Sequence, residues 1–117
     1  KVGTFAKDIS EASGTQAITG VGFKGSSITI FAVVPETNII CWGMSNGTVN
    51  YTIRDNVGFG GGAGTYGYDS SNLISLGTSA TDTAVATVAF DVDGFTLSWV
   101  KTGSPTGAVI IFYTVNR

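Results

Sequence analysis

Residues 90–100 read FDVDGFTLSWV, and two structures compete for them. The opening Asp-x-Asp-Gly begins many calcium loops, whereas the closing residues alternate as a half-buried strand does. A calcium loop of that kind needs oxygen ligands at alternate positions and a bidentate acid at the twelfth. Counted from Asp91, the series runs Asp91, Asp93, Phe95, Leu97, with Thr102 at the twelfth place, so it fails after two carboxylates. These two alone could at most pinch an ion between subunits. A hairpin accounts for more. With Asp93-Gly94 as a two-residue turn, Val92 faces Phe95, Phe90 faces Leu97 and Val88 faces Trp99, all apolar and on one side. The other side carries Asp91 with Thr96, Ala89 with Ser98 and Thr87 with Val100. A Val92-Asp93 turn keeps the same parity but, in type I′ geometry, requires positive φ at a β-branched valine. The expectation is therefore a structural hairpin turning at Asp93-Gly94, with Phe95, Leu97 and Trp99 building one face of a sheet.

The same pattern extends along the chain. Short apolar or alternating runs are separated by Gly, Ser, Asn and Asp clusters, and no window sustains helical spacing. The expected strands are Gly3–Ala6, Gln16–Phe23, Ser27–Val34, Ile39–Met44, Val49–Arg54, Thr65–Tyr68, Leu73–Leu76, Ala84–Asp91, Phe95–Lys101 and Ala108–Val115. Ten short strands in 117 residues point to one all-β domain spanning 1–117, an antiparallel β-sandwich of jelly-roll type, because two sheets must cover each other's apolar faces. Asn46-Gly47 reads as a type I′ turn joining the fourth strand to the fifth. The run Ala108 to Tyr113 is apolar on both faces, which suits a central strand or a subunit contact.

Charged residues make up only 12% of the chain, about half the usual share, so the surface is mostly Ser, Thr, Asn and Gly. With a mean hydropathy of +0.30, such a surface is weakly protected against association, and part of it is expected to be covered by partner subunits. The net charge is −2 and the six Lys and Arg are scattered, which argues against a nucleic-acid or anionic-lipid footprint. No apolar stretch is long enough for a membrane-spanning helix, and a soluble protein is expected. The single cysteine, Cys41, lies in an apolar run, so it can form no intrachain disulfide and is expected to be a buried thiol.

The chain has no histidine, which removes the commonest general base and the usual partner of Ser and Cys nucleophiles. Its eight carboxylates are dispersed; a pair brought together only by folding is invisible at this level. No enzymatic activity and no cofactor are expected. Gly58 to Gly64, GFGGGAG, formally contains G-x-G-x-x-A ending at Ala63, but Thr65-Tyr66-Gly67-Tyr68 follows as a strand rather than the helix a dinucleotide site requires. A flexible surface loop, with contact to a partner as the interesting variant, is the expectation. Around it Tyr51, Phe59, Tyr66 and Tyr68 are the candidate partner or ligand contacts. Asn46-Gly47-Thr48 and Asn50-Tyr51-Thr52 match the glycosylation pattern, a match common by chance in a threonine-rich chain.

Three segments, GTFAK near the start, GTQAITGVGF at Gly14 to Phe23, and DGFTLSW at Asp93 to Trp99, together resemble a small β-rich family of bacteriophage structural proteins. The resemblance covers both ends of the chain, while residues 36–83 depart from it. It implies a virion surface component of the capsid-decoration or fibre-associated type, assembled in the host cytoplasm and located on the particle. It supplies no catalytic residues; Gly20, Gly22, Phe23, Gly94, Phe95 and Trp99 take structural roles. The expected partners are the chain itself, as a homo-oligomer with a trimer as one candidate, and other virion proteins. A different class of function is a glycan-recognising receptor module of a tail fibre, using Tyr51, Tyr66 and Tyr68.

Overall fold

The computed structural model describes residues 1–62 and 64–117. Among them, ten strands follow in chain order: β1 (Val2–Asp8), β2 (Gly14–Thr19), β3 (Ser27–Val33), β4 (Ile40–Ser45), β5 (Asn50–Asp55), β6 (Tyr66–Asp69), β7 (Ile74–Gly77), β8 (Thr83–Asp91), β9 (Gly94–Thr102) and β10 (Ala108–Asn116). They form a six-stranded sheet in the order β1-β10-β3-β4-β5-β6 and a four-stranded sheet in the order β2-β9-β8-β7. The pairings are antiparallel, and the two sheets stack as the expected sandwich. Within it β3 to β6 and β7 to β9 run as meanders, whereas a jelly roll is built from two Greek keys. Sandwich is the level at which expectation and structure meet.

Ten strands were expected and ten are found, with three local corrections. The second strand ends at Thr19 rather than Phe23, because Gly20 and Gly22 take φ of 79° and 88° and turn the backbone out of the extended region. The β8–β9 hairpin pairs Asp91 with Gly94, Phe90 with Phe95, Val88 with Leu97 and Ala86 with Trp99, so its turn is Val92-Asp93 and not Asp93-Gly94. Neither turn residue has positive φ, so the type I′ strain that counted against this turn does not arise. Parity is unchanged, and of the six residues expected on the apolar face Val88, Phe95, Leu97 and Trp99 are buried and Phe90 is half-buried, whereas Val92, now a turn residue, is 84% exposed. Gly94 opens β9 instead, where a Cβ would stand 1.9 Å from the Ile18 carbonyl oxygen; glycine is needed for the approach of β2.

The third correction concerns Asn46-Gly47. The last β4–β5 pair is Ser45 with Asn50, leaving residues 46–49 as a four-residue loop rather than a type I′ turn. Asn46 Oδ1 accepts the N–H groups of Thr48 at 3.0 Å and Val49 at 2.8 Å, an Asx-type turn that explains the asparagine.

The core lies between the sheets. Phe95 of β9 meets the Tyr113 ring of β10 edge-on at 5.2 Å and the Phe5 ring of β1 at 6.2 Å, so one aromatic trio joins the layers. Beside it, Trp99 Nε1 donates to Gln16 Oε1 at 3.1 Å and Gln16 Nε2 donates to the Ala6 carbonyl at 3.1 Å. This amide thus satisfies the indole and latches β2 to β1 in the opposite sheet.

Candidate interaction surface

In a strand, successive side chains point to opposite faces, so each strand of the six-stranded sheet offers one set to the core and one to the outside. Strand β10 shows the division: Val109, Ile111, Tyr113 and Val115 are buried, while Ile110 and Phe112 point out and are exposed. The apolar run that suited either a central strand or a contact is a central strand with its outer face bare.

Register builds the outer face row by row. Thr4, Phe112, Phe31, Trp42, Ile53 and Tyr68 are successive partners across all six strands. Val2, Thr114, Thr29, Met44 and Tyr51 form a parallel row on one side. Ala6, Ile110, Val33 and Ile40 form another on the opposite side. Trp42 is 54% exposed, Ile53 56% and Tyr68 77%. Among the described residues, the charged side chains at outward positions of these strands are Asp8 and Asp55, both at strand ends. The outer face of the four-stranded sheet is different in kind. Its outward positions mix hydroxyls at Thr15, Thr87, Thr96 and Ser98 with alanines and the cross-strand pair Val85–Val100, and carry no aromatic side chain.

The bulk of β4 points outward because nothing large fits inside. Strand β7 lies directly under β4, and a Cβ on Gly43 would stand 1.8 Å from the Leu73 carbonyl oxygen. The inward positions are accordingly Cys41, Gly43 and Ser45, with Thr52 on β5 donating to the Asn72 carbonyl at 2.5 Å. Ile40, Trp42 and Met44 take the other side. Burial pushes the Cys41 thiol up to about 12, so it stays protonated, as expected for a buried cysteine.

Positive charge is drawn inward as well. Arg54 lies over the Phe59 ring at 3.8 Å, donates to Ser75 Oγ at 2.8 Å, and stands 3.6 Å from an Asp69 carboxylate oxygen. Burial pushes Asp69 up, but hydrogen bonds from the Asn72 amide, the Ser71 and Asn72 N–H groups and Ser75 more than offset it and hold the carboxyl below its ordinary range.

Of the four contact candidates, Tyr51, Tyr66 and Tyr68 project from the outer face, while Phe59 is half-buried with the Arg54 guanidinium over its ring. Phe31, Trp42, Met44, Ile53 and Phe112 complete the surface and escaped the sequence reading. The glycine-rich segment is less free than expected: a 3-10 turn spans Val57–Phe59, and Gly58 is buried, a Cβ there lying 1.6 Å from the Gly77 carbonyl oxygen. Ala63, the last residue of the G-x-G-x-x-A match, lies outside the described residues, and strand β6, not a helix, follows.

Both aspartates of the opening motif are engaged separately. Asp91 Oδ2 accepts the Thr96 hydroxyl at 2.6 Å, whereas Asp93 accepts the N–H groups of Gly20 and Gly22 at 3.2 and 2.7 Å. Among the described residues no group of three or more His, Cys, Asp or Glu gathers in a way that could hold a metal ion, and no helix is long and apolar enough to cross a membrane. Of the two glycosylation matches, Asn46 is occupied by its loop and Asn50 Nδ2 donates to the Ser71 carbonyl at 3.2 Å. The chain matches no family model, and no curated protein or solved structure is detectably similar to it.

Proposed function

We propose that this chain is a non-catalytic structural subunit of a phage particle, of the decoration or fibre type that its motifs resemble, assembling with itself and with other virion proteins. The observation that carries the assembly half of this reading is the row Phe112-Phe31-Trp42-Ile53-Tyr68, five large apolar side chains left in water on one sheet face. Soluble monomers rarely expose contiguous apolar patches larger than a few hundred Å². Full burial of a large side chain is worth about 1.5–3 kcal/mol, and Phe112, Phe31, Trp42 and Ile53, already about half covered, would each recover roughly half of that on association, and the more exposed Tyr68 more. The phage half rests on the resemblance of the terminal motifs. Quantitative mass spectrometry of purified particles tests it. A copy number matching the shell lattice supports decoration, a handful per particle supports a fibre, and absence from particles overturns the reading.

A second reading is favoured by one observation. Trp42, Met44, Tyr51, Ile53 and Tyr68 line a groove of about 310 Å³, and aromatic walls of this kind stack on sugar rings. A tail-fibre module recognising host glycans would use Tyr51 and Tyr68 there. A glycan array probed with the wild type and with Tyr68→Ala separates the two readings, since assembly predicts no specific glycan signal.

A further inference from the structure

We infer that the partner of the outer face is a second copy of the same chain, packed face to face so that two six-stranded sheets form the middle of a four-layer stack. This rests on the self-association reading above and specifies its surface and symmetry. Three properties of the face support it.

The first is charge. The inboard positions carry no ionic group, and the two outward carboxylates, Asp8 and Asp55, stand at strand ends. A charged partner would find no counter-charge across the centre of the face and would lose hydration there without compensation. A copy of the same face brings the same uncharged centre and little self-repulsion.

The second is area. Six strands about 4.8 Å apart and three rows about 6.7 Å apart give a footprint of roughly 500 Å² per copy. Two copies together reach about 1,000 Å², the lower bound for a specific interface. Corrugation by the aromatic side chains raises the true contact area above the flat footprint. The outer face of the four-stranded sheet is narrower, and hydroxyl side chains and alanines surround its one large apolar pair, Val85–Val100, so its apolar area is smaller.

The third is position. The middle of the six-stranded sheet falls between β3 and β4, where Phe31 and Trp42 are direct partners in adjacent strands. Any two-fold axis through the centre of the face therefore sets this pair of one copy against the same pair of the other. An isologous contact of this type closes on itself and yields even-numbered assemblies. The packing repeats what the sandwich does on its other side, sheet against sheet about 10 Å apart.

The test is sedimentation velocity on the full chain across a concentration series, with the double variant Phe31→Lys/Trp42→Lys and the control Ser98→Lys on the opposite outer face. A reversible wild-type dimer is expected, with the control unchanged and the double variant at least 100-fold weaker in association while keeping the wild-type circular dichroism. A dimer that survives the double substitution overturns the face-to-face pairing but leaves self-association standing, as does a trimer. A wild type that stays monomeric at every concentration overturns both. Should the double variant fail to fold, wild-type fluorescence supplies the answer. Trp99 is buried within the chain and Trp42 is half exposed, so acrylamide quenching should fall with rising concentration as Trp42 becomes covered. Quenching independent of concentration overturns the pairing.

Discussion

Asp93 Oδ1 accepts the Gly22 N–H at 2.7 Å, across 71 residues of sequence. The same aspartate takes the Gly20 N–H through its other oxygen and the Val21 N–H through its backbone carbonyl at 3.2 Å. The loop after β2 is thus clamped by the β8–β9 turn, and the two segments that carry the resemblance, GTQAITGVGF and DGFTLSW, meet at this contact. Replacing Asp93 by Ala removes two side-chain hydrogen bonds from the clamp, each worth about 1 kcal/mol net. The expected result is a loss of about 1–2 kcal/mol in urea unfolding, with faster amide exchange at Gly20 and Gly22. Unaltered exchange at those two amides would show that the clamp contributes nothing.

Two glycines distinguish steric need from conformational need. At Gly94 a Cβ would collide with the Ile18 backbone, which cannot rotate away as a side chain would. Gly94→Ala is expected to cost at least about 3 kcal/mol by forcing β2 from β9. At Gly14, on the edge strand β2 itself, a Cβ meets nothing within 4 Å, and Gly14→Ala is expected to be neutral or slightly stabilising. Thermal melting of both variants decides it, and equal effects would contradict the close approach.

Three carboxylates are held below their ordinary range. Asp8 is lowered by the Ser10 hydroxyl and N–H, Asp82 by the Ser104 N–H and the Ser79 hydroxyl, and Asp69 by the bonds that outweigh its burial. A depressed folded-state value means that the stabilisation is fully present above the unfolded carboxylate range, about pH 4, and is lost as pH falls through the folded value. With no histidine to titrate between, stability should be level from about pH 8 to 5 and should fall below about pH 4. Urea midpoints at pH 7, 5 and 2.5 check this. In Asp69→Asn the acid loss should be smaller; a midpoint as high at pH 2.5 as at pH 7 would refute the assignment.

Cys41 offers a clock for opening. It is 1% exposed, and its thiol is pushed up to about 12, so at pH 8 almost no thiolate is present or reachable. Labelling by an aromatic disulfide should proceed only through unfolding, at the unfolding rate, and should become immediate in denaturant. Rapid labelling of the native protein would mean that β4 and β7 separate readily.

Association through an uncharged apolar face carries its own salt signature. Sodium sulfate should tighten it, because excluded salts strengthen apolar burial, whereas contacts between charges weaken as screening increases. Sedimentation at 0.05 and 0.5 M sulfate is the measurement; dissociation at the higher concentration would point to an electrostatic contact elsewhere.

The strands were legible because period-two alternation and Gly/Asn/Asp punctuation are local. The faces were not. In Ile40-Cys41-Trp42-Gly43-Met44 both parities are apolar, and only the approach of Leu73 to Gly43 decides that the large residues go outward. The turn was misplaced by one residue for a similar reason. Parity cannot separate Val92-Asp93 from Asp93-Gly94, and the need for Gly94 comes from Ile18, a strand remote in sequence. Tyr66 and Tyr68 drew attention as tyrosines beside a glycine-rich loop, whereas Phe31 has the sequence pattern of an ordinary core residue and Phe112 lies in a run that suits a central strand as well as a contact. That strand β4 alternates large and small so regularly was the available clue to an inner side without room.

Strand β10 lies between β1 and β3, and β9 between β2 and β8. During synthesis, β1 and β2 therefore emerge before the other strands of the sandwich and wait without neighbours until its last two, β9 and β10, leave the ribosome. Non-local pairing of this order makes folding slow, and the waiting chain carries its apolar rows uncovered. A nonsense codon that removes β10 would not yield a smaller sandwich. It would leave one sheet divided and β1 stranded, a product that chaperones and proteases meet as an aggregating fragment rather than as a smaller folded domain.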